Sequence, residues 1–498
     1  MNKLVRVLVF LGALLLVLAV MAVLGVRSRD RRALLEYQAK LAAKGEKLTI
    51  AELSRGRQTN AHGSYTIITN ATPKLRAPKL YPGLLEPRRY VQPGQASVVW
   101  RQTSPRWTPL AGPGSGVTWE EFAAQMAAAE IPLREIREAL QNPEADAGAW
   151  TNVLVGGRVN YVPNRIAAQW FMGAAENELH RGRLEAGLQD LEAIAGVAQI
   201  DRNEYTLVAH MIRVAVAGVG LATTWDALQA PGWTDPQLER LQKAWEPVDL
   251  VEAVEKGVVG SRACGYEIIV MVRRLSGPQA SRLLRTSWNI PSSSSKASFE
   301  DWAKDYLYFP AYKLTSIDAD ELFYLKTMQE EMTALRLVQA HRPWSEARQA
   351  LFKATSPINQ LTNVIDGFRY PLSVTTIPNY PKACGTPIDV ETERQMTLAA
   401  IALKRFQLRH GKLPPSLEAM VPELLPAVPY DYMSAKPLIY RLKPDGGYVL
   451  YSVGLDGKDD GGDPSPAPSS SPGLWGGRDA VWPSPATAPT DPPRQVDR

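Results

Sequence analysis

Cysteine is nearly absent from this chain: only Cys264 and Cys384 occur in 498 residues. No disulfide framework therefore holds the fold, and each thiol is expected as a small buried hydrophobe. The five histidines, at 62, 180, 210, 341 and 410, are too scattered for a zinc site, and neither HExxH nor a paired CxxC is present. The glycine-rich GPGSG at 112 to 116 lacks the Gly-Lys-Ser/Thr of a phosphate loop and sits among prolines, so it reads as linker. The nucleophile elbow of hydrolases is missing too. Asp318, Asp320 and Glu321 form an acidic trio, but Ser316 precedes them. That is the order of a helix N-terminus, where the dipole favours carboxylates, and it needs no catalytic pair. No catalytic residue is assigned.

Charge is also missing where a nucleic-acid binder would carry it. Lys3, Arg6, Arg27, Arg29, Arg31 and Arg32 against Asp30 account for the whole formal charge of +5, and the remaining residues hold 50 basic against 50 acidic side chains. The basic pI of about 9.0 is a property of the N-terminal flank, so nucleic acid is not expected as a partner.

What is present is a long apolar run, VLVFLGALLLVLAVMAVLGV, from Val7 to Val26, free of charge and proline. At 1.5 Å per residue it spans about 30 Å, the hydrocarbon thickness of a bilayer. Residues 1–26 are expected as an uncleaved single-pass anchor; the alternative is a signal peptide cut after Val20-Met21-Ala22, though such apolar regions are shorter. Basic residues on both sides leave the orientation open by charge alone.

The chain after the anchor divides by composition. Residues 27–116 are expected as a short juxtamembrane helix ending near Gly45, followed by an extended spacer, because eight prolines between Pro73 and Gly116 forbid a long helix or a central strand. One short strand is expected at Gln95 to Arg101. Residues 117–387 carry helical periodicity, with Thr118 and Glu121 as a capping box and an α-hairpin of Ile166 to His180 and Leu184 to Val197 turning at Gly182. Further helices are expected at Tyr205 to Leu228, Asp235 to Ala244 and Ala319 to His341. Residues 388–463 mix a helix from Glu391 to His410, a second short helix from Pro414 to Leu425 and a hairpin, Pro437 to Leu442 with Tyr448 to Val453, turning on KPDGG. Residues 464–498 are rich in proline and serine and expected to be mostly disordered, with LWGGRDAVW (Leu474 to Trp482) able to dock back. The fold class is mainly α: a transmembrane helix, an irregular α-helical domain and a small C-terminal α+β module.

The order helix, HGKLPPSLEAMVPELLP, hairpin, YSVGLDGKDDGG resembles the globular part of type II secretion major pseudopilins, over about Glu391 to Trp482. The resemblance implies a C-terminal loop that binds calcium, with Asp456 at the family's loop aspartate and Asp479 at its Asp-Ile position. The chain departs from that family in having no prepilin cleavage motif ahead of its membrane helix, so a pilus-like fibre is not implied. TWDALQAPGWTDPQLERLQKAWEPVDL (Thr224 to Leu250) looks like an uncharacterised family of bacterial membrane-anchored helical proteins, which implies an architecture and no activity.

Read from the residues alone, Asp456, Asp459, Asp460 and Asp463 place four carboxylates among glycines 457, 461 and 462. Such a loop can wrap oxygen ligands round calcium; equally, it solvates a strand end. With Asp479 added from the resemblance, the candidate set is Asp456, Asp459, Asp460 and Asp479. The expected function is a non-enzymatic scaffold of the cell envelope. It would be held in the inner membrane by Val7 to Val26, have its body outside the cytoplasm and engage protein partners there. The alternative is a hydrolase of envelope polymers with its carboxylates in a groove of the helical domain.

Overall fold

The computed structural model describes residues 3–55, 63–75, 85–105, 117–141, 160–287, 299–361, 368–377, 380–467 and 473–486. It is mainly helical. The expected capping box at Thr118 and Glu121 opens α4 (Trp119–Ala128), followed by α5 (Glu130–Leu140). The α-hairpin is present as α6 (Val162–His180) and α7 (Leu184–Gln199), with Gly182 at φ +70° in the turn, a left-handed conformation that glycine adopts without steric cost.

α8 (Leu207–Leu228) lies across that hairpin, and α9 (Asp235–Trp245) lies along α7. A long helix, Tyr380–His410, packs against both α8 and α9. It starts well before the expected Glu391, carrying Pro387 inside. Trp225, Trp245, Phe171, Leu191, Met396 and Leu403 meet in this first core. Among the described residues, α8 is long and apolar enough to span a membrane by length and composition, but 56% of its most apolar window is buried inside the protein. Apolar neighbours on several sides make it a central helix of the body.

A second core joins the C-terminal half of α1 (Lys3–Ala43) to α10 (Val251–Arg274), α14 (Ile317–Gln339) and α15 (Trp344–Gln360). Leu34 and Leu41 of α1 are buried there with Ile269, Tyr324, Met328 and Leu335. The expected division between an anchor and a separate juxtamembrane helix is therefore corrected. Nothing in GVRSRDRRA breaks a helix, so α1 runs unbroken past residue 26 and stops only at Gly45, φ +75°. Short α2 (Ile50–Ser54) follows, with its own capping box from Thr49 and Glu52.

The spacer is corrected as well. In its described parts, α3 (Ser64–Ala71) buries Ile68, and Leu75, Leu85, Ala96, Val98 and Val99 are buried in the first core. β1 (Arg89–Gln92) and β2 (Gln95–Ser97) form a small antiparallel pair. Proline excludes helices and central strands, but it leaves edge strands and apolar burial open. Residues 106–116 lie outside the described residues.

At the C-terminal end, the segment from Pro414 to Leu425 makes only a 3-10 turn, Glu418–Met420, where a helix was expected. β3 (Tyr430–Asp431) pairs with β4 (Lys436–Pro437). The hairpin is as expected: β5 (Ile439–Leu442) runs antiparallel to β6 (Tyr448–Ser452), with Gly446 at φ +83° in the turn. The tail docks back through β7 (Ala480–Val481) on β6 and β8 (Ser484–Pro485) parallel to β2. Trp225 Nε1 donates to the Pro483 carbonyl at 2.9 Å. Residues 487–498 lie outside the described residues.

Three glycines of α10 set how closely its neighbours approach. A Cβ on Gly257 would crowd Leu207, one on Gly260 would overlap the Tyr205 carbonyl, and one on Gly265 would overlap the Tyr324 hydroxyl. Gly260→Ala is accordingly expected to lower stability by about 1 to 3 kcal/mol, the usual cost of overpacking. Chemical denaturation of the full chain measures it, and an unchanged midpoint would show that the Tyr205 segment yields freely.

Candidate functional site

Two places gather polar side chains whose geometry calls for explanation: the junction between α1 and the body, and the C-terminal acidic loop. α1 and α14 run side by side in the same direction at the junction. Arg31 Nη1 stands 3.4 Å from Asp318, Gln38 donates to Glu321 at 2.7 Å, and Glu46 just past the end of α1 meets Arg336 at 2.5 Å. Arg273 at the end of α10 bridges Asp318 at 2.6 Å and Glu321 at 2.5 Å. Arg262, fully buried, reaches Glu46 at 3.0 Å, the Lys47 carbonyl at 2.9 Å and Gln329 at 2.5 Å.

Glu46 is the centre of this network. Partial burial would raise its carboxyl, but hydrogen bonds from Arg336 and Gln329 and the Arg262 charge outweigh that and hold it at about 2. Paired and hydrogen-bonded in this way, the charge is retained inside the protein at modest net cost, whereas removing either partner strands the other.

The acidic trio read from sequence does structural work here. Asp318 and Glu321 belong to the junction. Asp320 turns inward, accepting from the Tyr312 hydroxyl at 2.7 Å and from the Leu372 and Ser373 amides at 3.0 Å each. It thereby caps the short helix Pro371–Thr376. Burial still pushes its carboxyl up, to about 6.

The acidic loop follows β6. Its Asp479 carboxylate, buried, accepts from the amides of Gly462 at 2.7 Å, Asp463 at 3.0 Å and Asp460 at 3.3 Å. Asp459 accepts from the Tyr451 hydroxyl at 2.8 Å and from the Gly461 amide at 2.9 Å, while Asp456 and Asp463 close local turns on the Lys458 and Ser465 amides. Arg478 stands 3.9 Å from Asp460 and 3.8 Å from Asp463. Among the described residues no group of three or more His, Cys, Asp or Glu side chains is placed to hold a metal ion. Of the candidate calcium set Asp456, Asp459, Asp460 and Asp479, Asp479 and one oxygen each of Asp456 and Asp459 accept hydrogen bonds from the loop's own amides. The loop is wound round Asp479, which fixes the strand that precedes Trp482.

Sequence reading passed over a third group, carboxylates buried without charge partners. Glu176 and Asp226 are both fully buried, and burial pushes both carboxyls up, Asp226 to about 7. Asp226 accepts from the Val99 amide at 3.0 Å; neither oxygen of Glu176 finds a hydrogen-bond partner. Glu331 on α14 is similarly buried, with both oxygens unpartnered, and is pushed up to about 9. Their sequence signal was a carboxylate on the apolar stripe of a helix. All three sit within the packed core, out of reach of a polymer substrate.

Two expectations follow. Asp479→Ala lowers stability by about 2 kcal/mol, since three amides lose their buried acceptor; chemical denaturation measures it, and an unchanged midpoint would contradict the account. Glu331 keeps its proton in the fold but loses it in the unfolded chain above the ordinary carboxylate range. Stability therefore falls from pH 5 toward pH 9. Glu331→Gln is expected to flatten that fall and to gain about 2 kcal/mol at pH 7, measured by denaturation across the range; a parallel pH profile in parent and variant would contradict it. Comparison with protein-family models, with curated proteins and with solved structures found no match for this chain, so the functional reading stands on this geometry.

Proposed function

We propose that the chain is a membrane-anchored, non-enzymatic scaffold of the cell envelope. In this reading Val7 to Val26 spans the bilayer and α1 carries that span directly into the protein core. The observation that carries it is the contrast along one helix. Phe10, Leu15, Val17, Met21 and Leu24 are exposed, while Leu34 and Leu41 on the same α1 are fully buried. Exposed apolar side chains of this number are costly in water and favourable in lipid. The change in character falls between Val26 and Arg31, where the junction begins.

A rigid junction fits a scaffold, since it fixes where the body stands relative to the membrane. The long helix followed by an antiparallel hairpin and the docked β7 supports a pilin-like reading of the C-terminal module, used for protein contact. We place the body outside the cytoplasm on that likeness. The hydrolase reading has less support, because Glu176, Asp226 and Glu331, whose carboxyls are pushed strongly up, are enclosed in the core.

Cell fractionation tests the proposal. The full-length chain should sediment with membranes, resist an alkaline wash and need detergent for release, and the double variant Leu14→Arg, Leu18→Arg should lose this behaviour. Full-length, unprocessed parent protein recovered in the soluble fraction would overturn it.

A further inference from the structure

The body carries a second apolar feature that packing does not use. α11 (Gly277–Ser287) follows α10, and then a continuous helical run from Phe299 to Thr315 comprises α12 (Phe299–Ala303), a π-helical turn (Lys304–Tyr308) and α13 (Phe309–Thr315). One side of this run is fixed. Phe309 and Tyr312 are buried in the second core, the Tyr312 hydroxyl donates to Asp320 and Lys313 donates to the Leu275 carbonyl. Ser281 donates to Asp305, and Gly277 leaves room for the Asp305 carbonyl that a Cβ would meet.

The other side is bare. Phe299 is 80% exposed, Trp302 48%, Tyr306 58%, Leu307 57% and Leu314 50%. The three rings stack in a row, with centroids 5.7 Å apart from Phe299 to Trp302 and 6.1 Å from Trp302 to Tyr306. Phe368, 55% exposed, meets Tyr308 of the same run, with ring centroids 5.3 Å apart.

The position of this face identifies its occupant. α13 packs on α1, and Leu314 is followed at once by Ser316 and Asp318, the residue that meets Arg31. Arg31 is five residues beyond Val26, about 7.5 Å along the helix axis. Asp305, next to Tyr306, packs on Gly277 and Ser281 just past Arg273, which bridges Asp318, so the stacked aromatic face lies toward the end of the body from which the apolar half of α1 emerges. Exposed arginines 27, 29, 32 and 274 share that end. Aromatic side chains favour the headgroup level of a bilayer, and arginines there meet lipid phosphates.

We propose that the exposed face of Phe299 to Leu314 lies in the phospholipid interface, as an in-plane collar beside the transmembrane span. The collar rests on the membrane reading of α1 and goes beyond it: the body touches the bilayer at two places, which fixes its tilt as well as its distance. The π-helical turn serves this arrangement by shifting the register between α12 and α13. The buried residues of α13 then face the core while Trp302 and Tyr306 face out.

The test uses the full chain reconstituted into phosphatidylcholine nanodiscs, ordinary or brominated at the upper acyl carbons, with Trp302→Phe as the companion variant. The fluorescence difference between parent and variant isolates Trp302. It is expected to be present in ordinary discs and lost in brominated ones. A chain that does not enter the discs overturns the membrane reading and the collar together. A chain that enters them but keeps the Trp302 signal in brominated lipid overturns the collar alone. As a second readout, Leu307→Asp, at an exposed site that tolerates charge in water, is expected to leave insertion intact while raising the hydrogen exchange of residues 299 to 308 in discs; unchanged exchange counts against the collar.

Discussion

The structure depends on one constraint: α1 is a single helix with an exposed apolar half and a buried half. Its first half presents Phe10, Leu15, Met21 and Leu24 outward, and its second half buries Leu34 and Leu41 among α10 and α14. A helix that serves both roles must be stiff across the boundary, and the residues there contain no glycine or proline after Gly25 until Gly45. Ion pairs from Arg31 to Asp318 and from Glu46 to Arg262 and Arg336 then hold α1 in register along α14. Exposed ion pairs contribute little. The Glu46 cluster is different in kind, because Arg262 is fully buried and has no alternative partner in water.

From that helix the rest of the architecture closes in two steps. α10 connects the second core to α8 in the first, and the three glycines on α10 permit the close approach. The chain ends are then tied together: β2 from the proline-rich segment pairs with β8 from the tail, and Trp225 of the central α8 donates to the tail backbone between β7 and β8. Asp479 and its three amides hold the acidic loop that aims the tail toward this pairing. Segments that look dispensable by composition thus complete the fold.

Much of this was legible in the residues. The capping box at Thr118, the α-hairpin at Gly182 and the KPDGG hairpin depend on neighbours in sequence, and each is found where local chemistry put it. α10 was not legible. Gly257, Gly260 and Gly265 give no sign in sequence that Leu207, Tyr205 and Tyr324 press against the helix there. The burial of Leu85, Ala96 and Val99 was hidden for a related reason: proline density reports what backbone is forbidden, and says nothing of what the side chains touch. The acidic loop shows the limit most clearly. Four carboxylates among glycines carry the same composition whatever they face, and that the loop winds its amides round Asp479 is seen only in the fold. The exposed stack of Phe299, Trp302 and Tyr306 was equally hidden, since aromatic residues at helical spacing more often fill a core.

The continuity of α1 is most directly tested by amide hydrogen exchange on the membrane-reconstituted full chain, read across residues 24 to 36. An unbroken helix tied to the body predicts slow exchange at every amide through Ser28 to Leu34, without a gap between the lipid-embedded part and the core. A stretch of rapidly exchanging amides there, between two protected segments, would mean a hinge between anchor and body and would contradict the account.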